Sequence, residues 1–282
     1  MNRLPPRRQK GMVIPLLIIG LAACVIAAVV GIGYVNARSQ SNAFKATQSQ
    51  YLRDLQSAVQ TWYERHLTIE ADAAYQIDSE RLMAEIGMAR KFGVTLILST
   101  QLTDGVVRYR KVAIVSPGAT SGALVGTSGY GQYLADGSFQ VTPGFTFAEF
   151  DGKALQYQAM ANTNKALESM AAALEQYVGT RMQLDPGRDS ETNFFLPKVD
   201  CTHIGAGEMP CTEGRRPASE YLSAAGILGT EVALQRKSAW GTDLSLNNDR
   251  AANSAEPPYT MTVSAITPWG TELSVKAVQP IY

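Results

Sequence analysis

Histidine and cysteine are scarce in this chain of 282 residues, which has only two histidines, His66 and His203, and three cysteines. Short catalytic motifs are missing as well: the sequence contains no Gly-x-Ser-x-Gly elbow, no Ser-x-x-Lys and no His-Glu-x-x-His. A triad assembled from distant residues would leave no such motif, but nothing else in the sequence points to one. We therefore predict no catalytic residues and expect that the protein is not an enzyme.

An excess of charge of one sign is also missing, since 25 basic residues balance 25 acidic ones. Nucleic-acid surfaces need clustered lysine and arginine, so we predict no nucleic-acid partner. The glycine-rich stretch Gly126–Gly131 (GTSGYG) is followed by turn residues rather than by a helix. A phosphate-binding loop should open a helix. We therefore predict an exposed loop here and no cofactor.

Acidic residues do not occur before Asp54, and the run Met12–Val35 carries no charge at all. This run is long enough to cross the roughly 30 Å hydrocarbon core of a membrane as a helix. The stub before it is basic, with Arg3, Arg7, Arg8 and Lys10, and basic flanks stay in the cytoplasm. The sequence thus predicts a single-pass protein of the bacterial inner membrane, with its N-terminus inside and its C-terminal head in the periplasm.

Three interpretations of this segment compete. A secretory signal peptide has an apolar core of about 7–15 residues and a small-x-small cleavage site; the run is longer, although Gly31–Gly33 offers a weak site of that kind. A plain membrane anchor explains everything except the residues just before the run. The third interpretation uses those residues, because Lys10 and Gly11 lie directly against the apolar run.

The segment RRQKGMVIPLLIIG (residues 7–20) resembles the N-terminus of type IV prepilins and pseudopilins. In that family a prepilin peptidase cuts after the glycine and methylates the new N-terminus. The resemblance therefore implies cleavage between Gly11 and Met12, with Met12 as the methylated first residue. It extends to about Trp62 and implies assembly through the apolar helix.

Two positions depart from the family pattern. The family usually has a glutamate at the fifth mature position, where this chain has Leu16. It usually has a proline near the twenty-second position, where this chain has Gly33; Pro15 lies instead in the first turn, which tolerates proline. The glutamate is thought to pair with the N-terminal amine of the neighbouring subunit. Leu16 therefore favours a minor subunit that lies at the tip or initiates assembly, although Leu16 also fits a protein outside the family.

The helical pattern continues beyond the apolar run. Phe44, Tyr51, Leu55, Val59 and Trp62 recur at three- and four-residue spacings, as on one helix face. One helix is therefore predicted from about Met12 to His66. The predicted fold class is α+β: a long N-terminal helix, half transmembrane, packed on an antiparallel β-sheet head.

An internal similarity suggests a second helix-plus-sheet domain. The apolar face Leu52–Tyr63 matches Leu167–Val178, and IVSPG (Ile114–Gly118) matches ITPWG (Ile266–Gly270). Strand-like runs follow each helix. Predicted strands are VTLILST (94–100) and VVRYRKVAIV (106–115), separated by a turn at Asp104–Gly105, then TDLSL (242–246), YTMTVSAI (259–266) and TELSVKAV (271–278).

The predicted organisation is a leader (1–11), a transmembrane helix half (12–35), the helix continuation with a first α+β domain (36–150) and a second α+β domain (151–282). The alternative to a duplication is one α+β domain with an inserted helix.

Two of the cysteines, Cys201 and Cys211, flank a short polar loop, while Cys24 lies within the apolar run. In an oxidising compartment an isolated nearby pair favours a disulfide, which would contribute about 2–3 kcal/mol. A zinc site with His203 is the alternative, but it needs four ligands.

Two clusters of acidic residues and asparagines are candidate cation sites. They comprise Asp185, Asp189, Glu191 and Asn193, and then Asp243, Asn247 and Asp249. Neither follows a calcium-loop pattern, so we predict solvated turns and no metal site.

Taken together, these patterns predict a structural minor subunit of a type IV pilus or related pseudopilus, located at the tip or acting as an assembly initiator. Its expected partners are other pilin subunits, the prepilin peptidase and the inner membrane. The alternative is an uncleaved, single-pass periplasmic binding or scaffold protein of an envelope complex.

Overall fold

The computed structural model describes residues 42–117, 129–185, 187, 191–195, 214–224, 236–249 and 252–281. The chain divides between Leu55 and Gln56 into two units. The described part of the first unit is helical and belongs to helix α1, which covers residues 42–65. All other described elements lie in the second unit, which has two helix-plus-sheet halves.

The first half of this unit contains a three-stranded antiparallel sheet and two small hairpins. After α1 come a 3-10 turn (Leu67–Ala71) and helix α2 (Ser79–Glu85). The seven strands are β1 (Thr95–Leu98), β2 (Leu102–Asp104), β3 (Val107–Tyr109), β4 (Lys111–Pro117), β5 (Gly131–Tyr133), β6 (Phe139–Val141) and β7 (Phe145–Asp151). The sheet has the order β1-β4-β7, and β2–β3 and β5–β6 are the hairpins.

Strand β4 is buried from Val112 to Ser116 because both faces of the sheet are covered. On one face Phe150, which pairs with Val112, packs its ring 5.5 Å from that of Tyr63. On the other face Phe147, which pairs with Val115, lies 5.0 Å from Phe139 of the β5–β6 hairpin. A strand covered on both faces reads as a continuous apolar run, as β4 does.

Helix α3 (Lys153–Leu184) is 32 residues long and connects the two halves. Gly152 is its N-cap, and Asp151, the last residue of β7, accepts the Lys153 N–H with its Oδ1 at 2.8 Å. Pro186 follows the helix in the sequence and disfavours helical backbone at Asp185. Its buried residues recur at spacings of three and four along its whole length: Gln156, Ala159, Thr163, Leu167, Met170, Ala171, Leu174, Val178, Gly179 and Met182.

The second half is a four-stranded antiparallel sheet of order β11-β10-β9-β8. Its elements are β8 (Arg215–Pro217), helix α4 (Ala218–Ala224), β9 (Ser245–Asn247), β10 (Thr260–Ile266) and β11 (Glu272–Val278). The core between this sheet and α3 is apolar. Leu167, Met170 and Leu174 of α3 pack there with Leu246, Met261 and Val263 of the sheet.

The predicted similarity between the halves has a counterpart in topology. In each half a helix is followed by three antiparallel strands that neighbour one another, β1-β4-β7 after α1 and β9-β10-β11 after α3. Of the two similar segments, IVSPG includes the last four residues of the middle strand β4, whereas ITPWG shares only Ile266 with the middle strand β10. The predicted boundary between residues 150 and 151 falls at the end of β7, just before α3.

The predicted strands after α3 are found as β9, β10 and β11. The predicted turn at Asp104–Gly105 joins β2 to β3, and Gly105 has the positive φ of +57° that such a turn requires. One predicted strand is wrong. VVRYRKVAIV is not continuous but breaks at Arg110 into β3 and β4.

The predicted fold class needs a correction. The described architecture is α+β with antiparallel sheets, but no described helix is long and apolar enough to cross a membrane. The long helix α3 carries Lys165, Glu168 and Glu175 at intervals, whereas a spanning helix needs a nearly uncharged run. For the residues that the structure describes, the prediction of a half-transmembrane helix is wrong.

The predicted localisation in the bacterial inner membrane, with a periplasmic head, is wrong on the same finding, because no helix that could span a membrane lies among the described residues. The run Met12–Val35, on which both predictions were based, lies outside them.

Candidate functional site

The residues predicted to serve in processing, assembly and cross-linking lie outside the described residues. They are Gly11, Met12, Pro15, Leu16, Gly33, Cys201 and Cys211. Cys24 and His203 also lie outside them. The structure therefore brings none of the predicted site residues together, and these assignments stay predictions.

A buried ion pair is the most highly connected polar arrangement in the described part of the chain. Glu70 lies in the 3-10 turn and Arg110 lies between β3 and β4. The Arg110 Nη1 and Glu70 Oε2 atoms are 3.0 Å apart, and both side chains are fully buried. Burying two charges is costly unless further hydrogen bonds satisfy them, so the neighbours of this pair decide its role.

Arg110 donates hydrogen bonds to the backbone of the turn as well as to Glu70. Its Nη1 donates to the Ile69 carbonyl at 3.1 Å, and its Nη2 donates to the Asp72 carbonyl at 2.8 Å and the Ala73 carbonyl at 3.0 Å. The guanidinium carbon lies 5.7 Å from the centre of the Tyr75 ring, within the range of a cation–π contact. One arginine thus holds four residues of the segment 69–73, after α1, in place.

Glu70 accepts hydrogen bonds from two further side chains. Tyr63 Oη donates to Oε1 at 2.7 Å, and Gln101 Nε2 donates to Oε2 at 3.1 Å. Burial, and then the nearby Glu70 charge, raise the pKa of Tyr63 far above its ordinary value. Tyr63 therefore stays a neutral donor, and its hydroxyl also accepts the Arg110 backbone N–H at 3.2 Å.

The network continues into α3 and the loop before β9. Gln156 Nε2 donates to the Leu67 carbonyl at 2.9 Å, and the indole Nε1 of Trp240 donates to Gln156 Oε1 at 2.9 Å. Nearby, the Ala239 N–H donates to Thr163 Oγ1 at 3.0 Å. Polar groups on α3 therefore fix the 3-10 turn on one side and the 236–244 loop on the other. We call the side chains of Tyr63, Glu70, Arg110, Gln156 and Trp240 the buried polar network.

The chemistry of the buried polar network is that of a structural clamp. Arg110 neutralises the Glu70 carboxylate, and hydrogen-bond donors surround it. A general base must be able to reach a substrate proton, and a carboxylate enclosed in this way does not meet that requirement. The described part of the chain also contains no group of three or more His, Cys, Asp or Glu that could hold a metal ion. This arrangement therefore fixes the position of backbone segments.

His66, the one histidine in the described part of the chain, ends α1. Its Nδ1 lies 2.7 Å from the Trp62 carbonyl, and its ring stacks on the Trp62 indole at 5.1 Å. Hydrogen bonding to a last-turn carbonyl is a common way to end a helix. The hydrogen bond and the ring contact together fix the position of His66 at the end of α1.

The predicted acidic turns are local structures wherever they are described. Asp185 Oδ1 accepts the Gly187 N–H at 2.8 Å, and Asn247 Oδ1 accepts the Asp249 N–H at 2.9 Å. Asn193 Oδ1 accepts the Phe195 N–H at 3.0 Å in the same way. Such bonds between a side chain and the backbone two residues on are typical of Asx turns.

The described end of the glycine-rich stretch leads into the β5–β6 hairpin rather than into a helix. Gly131 has a φ of +141°, and a Cβ there would lie 2.6 Å from the Gln140 carbonyl. A groove of about 310 Å³ beside the hairpin is lined by Gln132, Gln140 and Thr142. None of its described lining residues is charged, so these residues offer none of the cationic donors that form the strongest phosphate contacts.

Sequence reasoning missed the buried polar network. Arg110 lies in an alternating strand-like run, where a charged residue is ordinarily solvent-exposed. Its partner Glu70 is forty residues earlier. Only the break in strand pattern at Arg110 could have suggested that this residue has a special position.

Comparison with known proteins gives no further assignment: no family model matches the chain, and neither a curated protein nor a solved structure shows significant similarity to it.

Proposed function

We propose that this chain is a structural subunit of a type IV pilus or related pseudopilus, processed after Gly11 and assembled through the apolar segment that follows. The observation that carries the proposal is the sequence RRQKGMVIPLLIIG, with a glycine directly before a long apolar run. A minor subunit, at the tip or initiating assembly, is favoured because Leu16 replaces the glutamate that this family usually has.

The described architecture supports this proposal in one respect. A helix followed by an antiparallel sheet is the arrangement that the family resemblance implies, and the chain contains two such combinations. The similarity is at the level of element order, and it adds to the N-terminal motif without replacing it.

The buried polar network supports a structural role rather than a catalytic one. Its charges are paired, Arg110 and Gln156 donate to backbone carbonyls, and its side chains are buried. A subunit that packs against neighbours needs a head of fixed shape, and this network fixes the chain after α1 to both β3–β4 and α3.

The experiment that tests processing is mass spectrometry of the mature N-terminus in cells that express the prepilin peptidase. The expected result is a chain that begins at N-methylated Met12. The matched control is Gly11→Trp, which should leave Met1 in place because it removes the glycine after which the peptidase of this family cuts. An intact Met1 in the unchanged protein would contradict the proposal.

A second experiment tests the position in the filament. Deleting the gene should reduce the number of filaments more than their length, as expected for a subunit that starts assembly. In sheared filaments this chain should be much rarer than the main subunit. Equal abundance of the two would contradict the minor-subunit part of the proposal while leaving processing at Gly11 intact.

A further inference from the structure

Strand β11 forms one edge of the second sheet, and the direction of its backbone groups can be read from two hydrogen bonds. The Gln279 N–H donates to the Tyr259 carbonyl at 2.8 Å, on the β10 side. The Val278 N–H donates instead to Glu175 Oε1 at 2.8 Å. Because successive residues of a strand direct their backbone groups to opposite sides, Glu272, Ser274 and Lys276 direct theirs away from β10.

These outward groups pair with no described strand, since the sheet order ends at β11. An edge of this kind is a template for another strand. The side chains of Glu272, Ser274 and Lys276 are exposed on the face of the sheet opposite α3, whereas Leu273 and Val275 are partly buried against the apolar core.

The sequence of this edge is complementary to itself. When Glu272-Leu273-Ser274-Val275-Lys276 is laid antiparallel to a second copy with Ser274 opposite Ser274, each Glu272 lies opposite a Lys276. Each Leu273 then lies opposite a Val275. Opposite charges and apolar pairs are the cross-strand combinations that stabilise antiparallel strands.

We propose that β11 pairs with β11 of a second copy of this chain, antiparallel and two-fold symmetric about Ser274. The pairing joins the two four-stranded sheets into one continuous sheet. Three residue pairs, Ser274 with Ser274 and Glu272 with Lys276 twice, are then hydrogen-bonded pairs, each exchanging two backbone bonds. The proposal goes beyond the filament function and does not rest on it.

The Glu175 contact selects this register. With Ser274 on the axis, Val278 lies opposite Gly270, beyond the end of the partner strand, so the bond from its N–H to Glu175 is kept. A register centred on Val275 would place Val278 opposite Glu272 and compete with Glu175. It would also place Lys276 opposite Ser274 and leave both charges without a counterpart across the strands.

Glu272 has room for a second cationic partner. Within its own copy its Oε1 accepts a hydrogen bond from Arg215, whose Nη2 also donates to Ser264 Oγ. The Glu272 side chain remains about 50% exposed. The second carboxylate oxygen is thus available to Lys276 of the other copy, which need not compete with Arg215.

Carbodiimide coupling of the full-length chain tests the pairing, because it joins only a carboxylate and an amine in direct contact. Residues 272 and 276 of one strand are about 13 Å apart, so an amide between Glu272 and Lys276 must join two copies. We expect this cross-link between ¹⁵N-labelled and unlabelled copies in a mixed sample. Its absence from samples in which other cross-links form would overturn the proposal.

Charge exchange supplies the matched variants. Lys276→Glu alone and Glu272→Lys alone each place like charges opposite each other twice, and each should reduce dimer formation, measured by sedimentation, about tenfold. An equal mixture of the two variants brings opposite charges together again and should restore association between, but not within, the variants. If the mixture associates no better than either variant alone, the proposed register is wrong.

A backbone variant separates pairing from charge. Ser274→Pro removes an outward N–H that β10 does not use, and an edge strand tolerates proline at such a position. We expect its circular dichroism and thermal midpoint to stay close to those of the unchanged protein while the Glu272–Lys276 cross-link is lost. An undiminished cross-link in this variant would contradict strand pairing.

Discussion

The two halves of the second unit have similar element order but differently built cores. In the first half buried apolar residues such as Val59 and Ile114 are joined by a buried ion pair, Glu70 and Arg110, between the 3-10 turn and the segment that connects β3 to β4. In the second half α3 meets the sheet through an apolar cluster that includes Leu174 and Val263. Apolar contacts are non-directional, whereas each hydrogen bond of the polar network specifies one position for one backbone group.

The polar and the apolar contacts hold different kinds of backbone in place. The residues after α1 form a 3-10 turn and an irregular segment, whose carbonyls need partners when they are buried. Arg110 supplies those partners for Ile69, Asp72 and Ala73. The apolar core faces regular strands that already satisfy their own backbone groups, so it requires only complementary shapes.

The largest expected effect comes from removing the arginine. Arg110→Met should lower the free energy of unfolding by about 4 kcal/mol, because it leaves Glu70 buried without its counter-charge and deprives three carbonyls of their donor. Urea unfolding measures the change. The matched control is the double variant Glu70→Leu with Arg110→Met, whose cost should be well below the sum of the single variants. Additive costs would contradict coupling within the pair.

A smaller loss is expected from the apolar core. Leu174→Ala should lower the free energy of unfolding by about 3 kcal/mol, through lost burial and the cavity left behind. Because the side chain of Leu174 is almost completely buried, its truncation loses the full contribution of that burial to the free energy of unfolding. A loss greater than that of Arg110→Met would reverse the comparison between the two cores. Leu184→Ala, at an exposed position of the same helix, should change stability little.

A third effect concerns the contact between Gly152 and Tyr63. A Cβ added at Gly152 would lie 2.4 Å from the Tyr63 ring, and the Gly152 backbone itself is helical. Gly152→Ala should therefore cost about 2 kcal/mol through crowding rather than through backbone strain. Thermal unfolding measures it, and Gly152→Ala combined with Tyr63→Phe tests whether the phenol oxygen contributes. A stabilising Gly152→Ala would contradict the close packing.

The smallest effect is electrostatic and lies on the surface. A hydrogen bond from Lys153, 2.5 Å away, holds the pKa of Asp104 below its ordinary value of 3.8. A lowered folded-state pKa adds stability above the unfolded value, which is lost as the pH falls through the folded one. Lys153→Met should raise the Asp104 pKa toward 3.8.

Carboxyl NMR titration measures that shift, and Asp136 is its internal reference. Its pKa is also lowered, but mainly by Ser138, so Lys153→Met should leave it unchanged. Equal shifts at Asp104 and Asp136 would show a general effect of charge and would contradict a specific Lys153–Asp104 pair.

Local patterns predicted α1, α3 and several strands, but not α2, α4, β2 or the strands β5 to β8. The apolar spacing of Val59, Trp62 and Tyr63, and its counterpart in Leu174 and Val178, predicted which helix faces are buried. Alternation predicted β10 and β11, and Asp104–Gly105 predicted a hairpin turn. These predictions succeed because the period of apolar residues is a local property.

The buried polar network could not be predicted in the same way. Glu70, Arg110 and Gln156 come from distant parts of the sequence, and each belongs to a residue type that is ordinarily exposed. Their burial depends on mutual pairing, which only the folded arrangement creates. The proposed processing residues, Gly11 and Met12, rest on a sequence motif alone and lie outside the described residues.

Helix α3 also gives the molecule a mechanical property. Its 32 residues form a rod about 48 Å long. Near its beginning Gln156 is hydrogen-bonded to the 3-10 turn, and toward its end Val178 and Met182 are embedded in the second core. A pulling force applied to the second sheet would therefore pass along the helix and load the first half in shear. We therefore expect the two halves to unfold together under tension rather than one after the other.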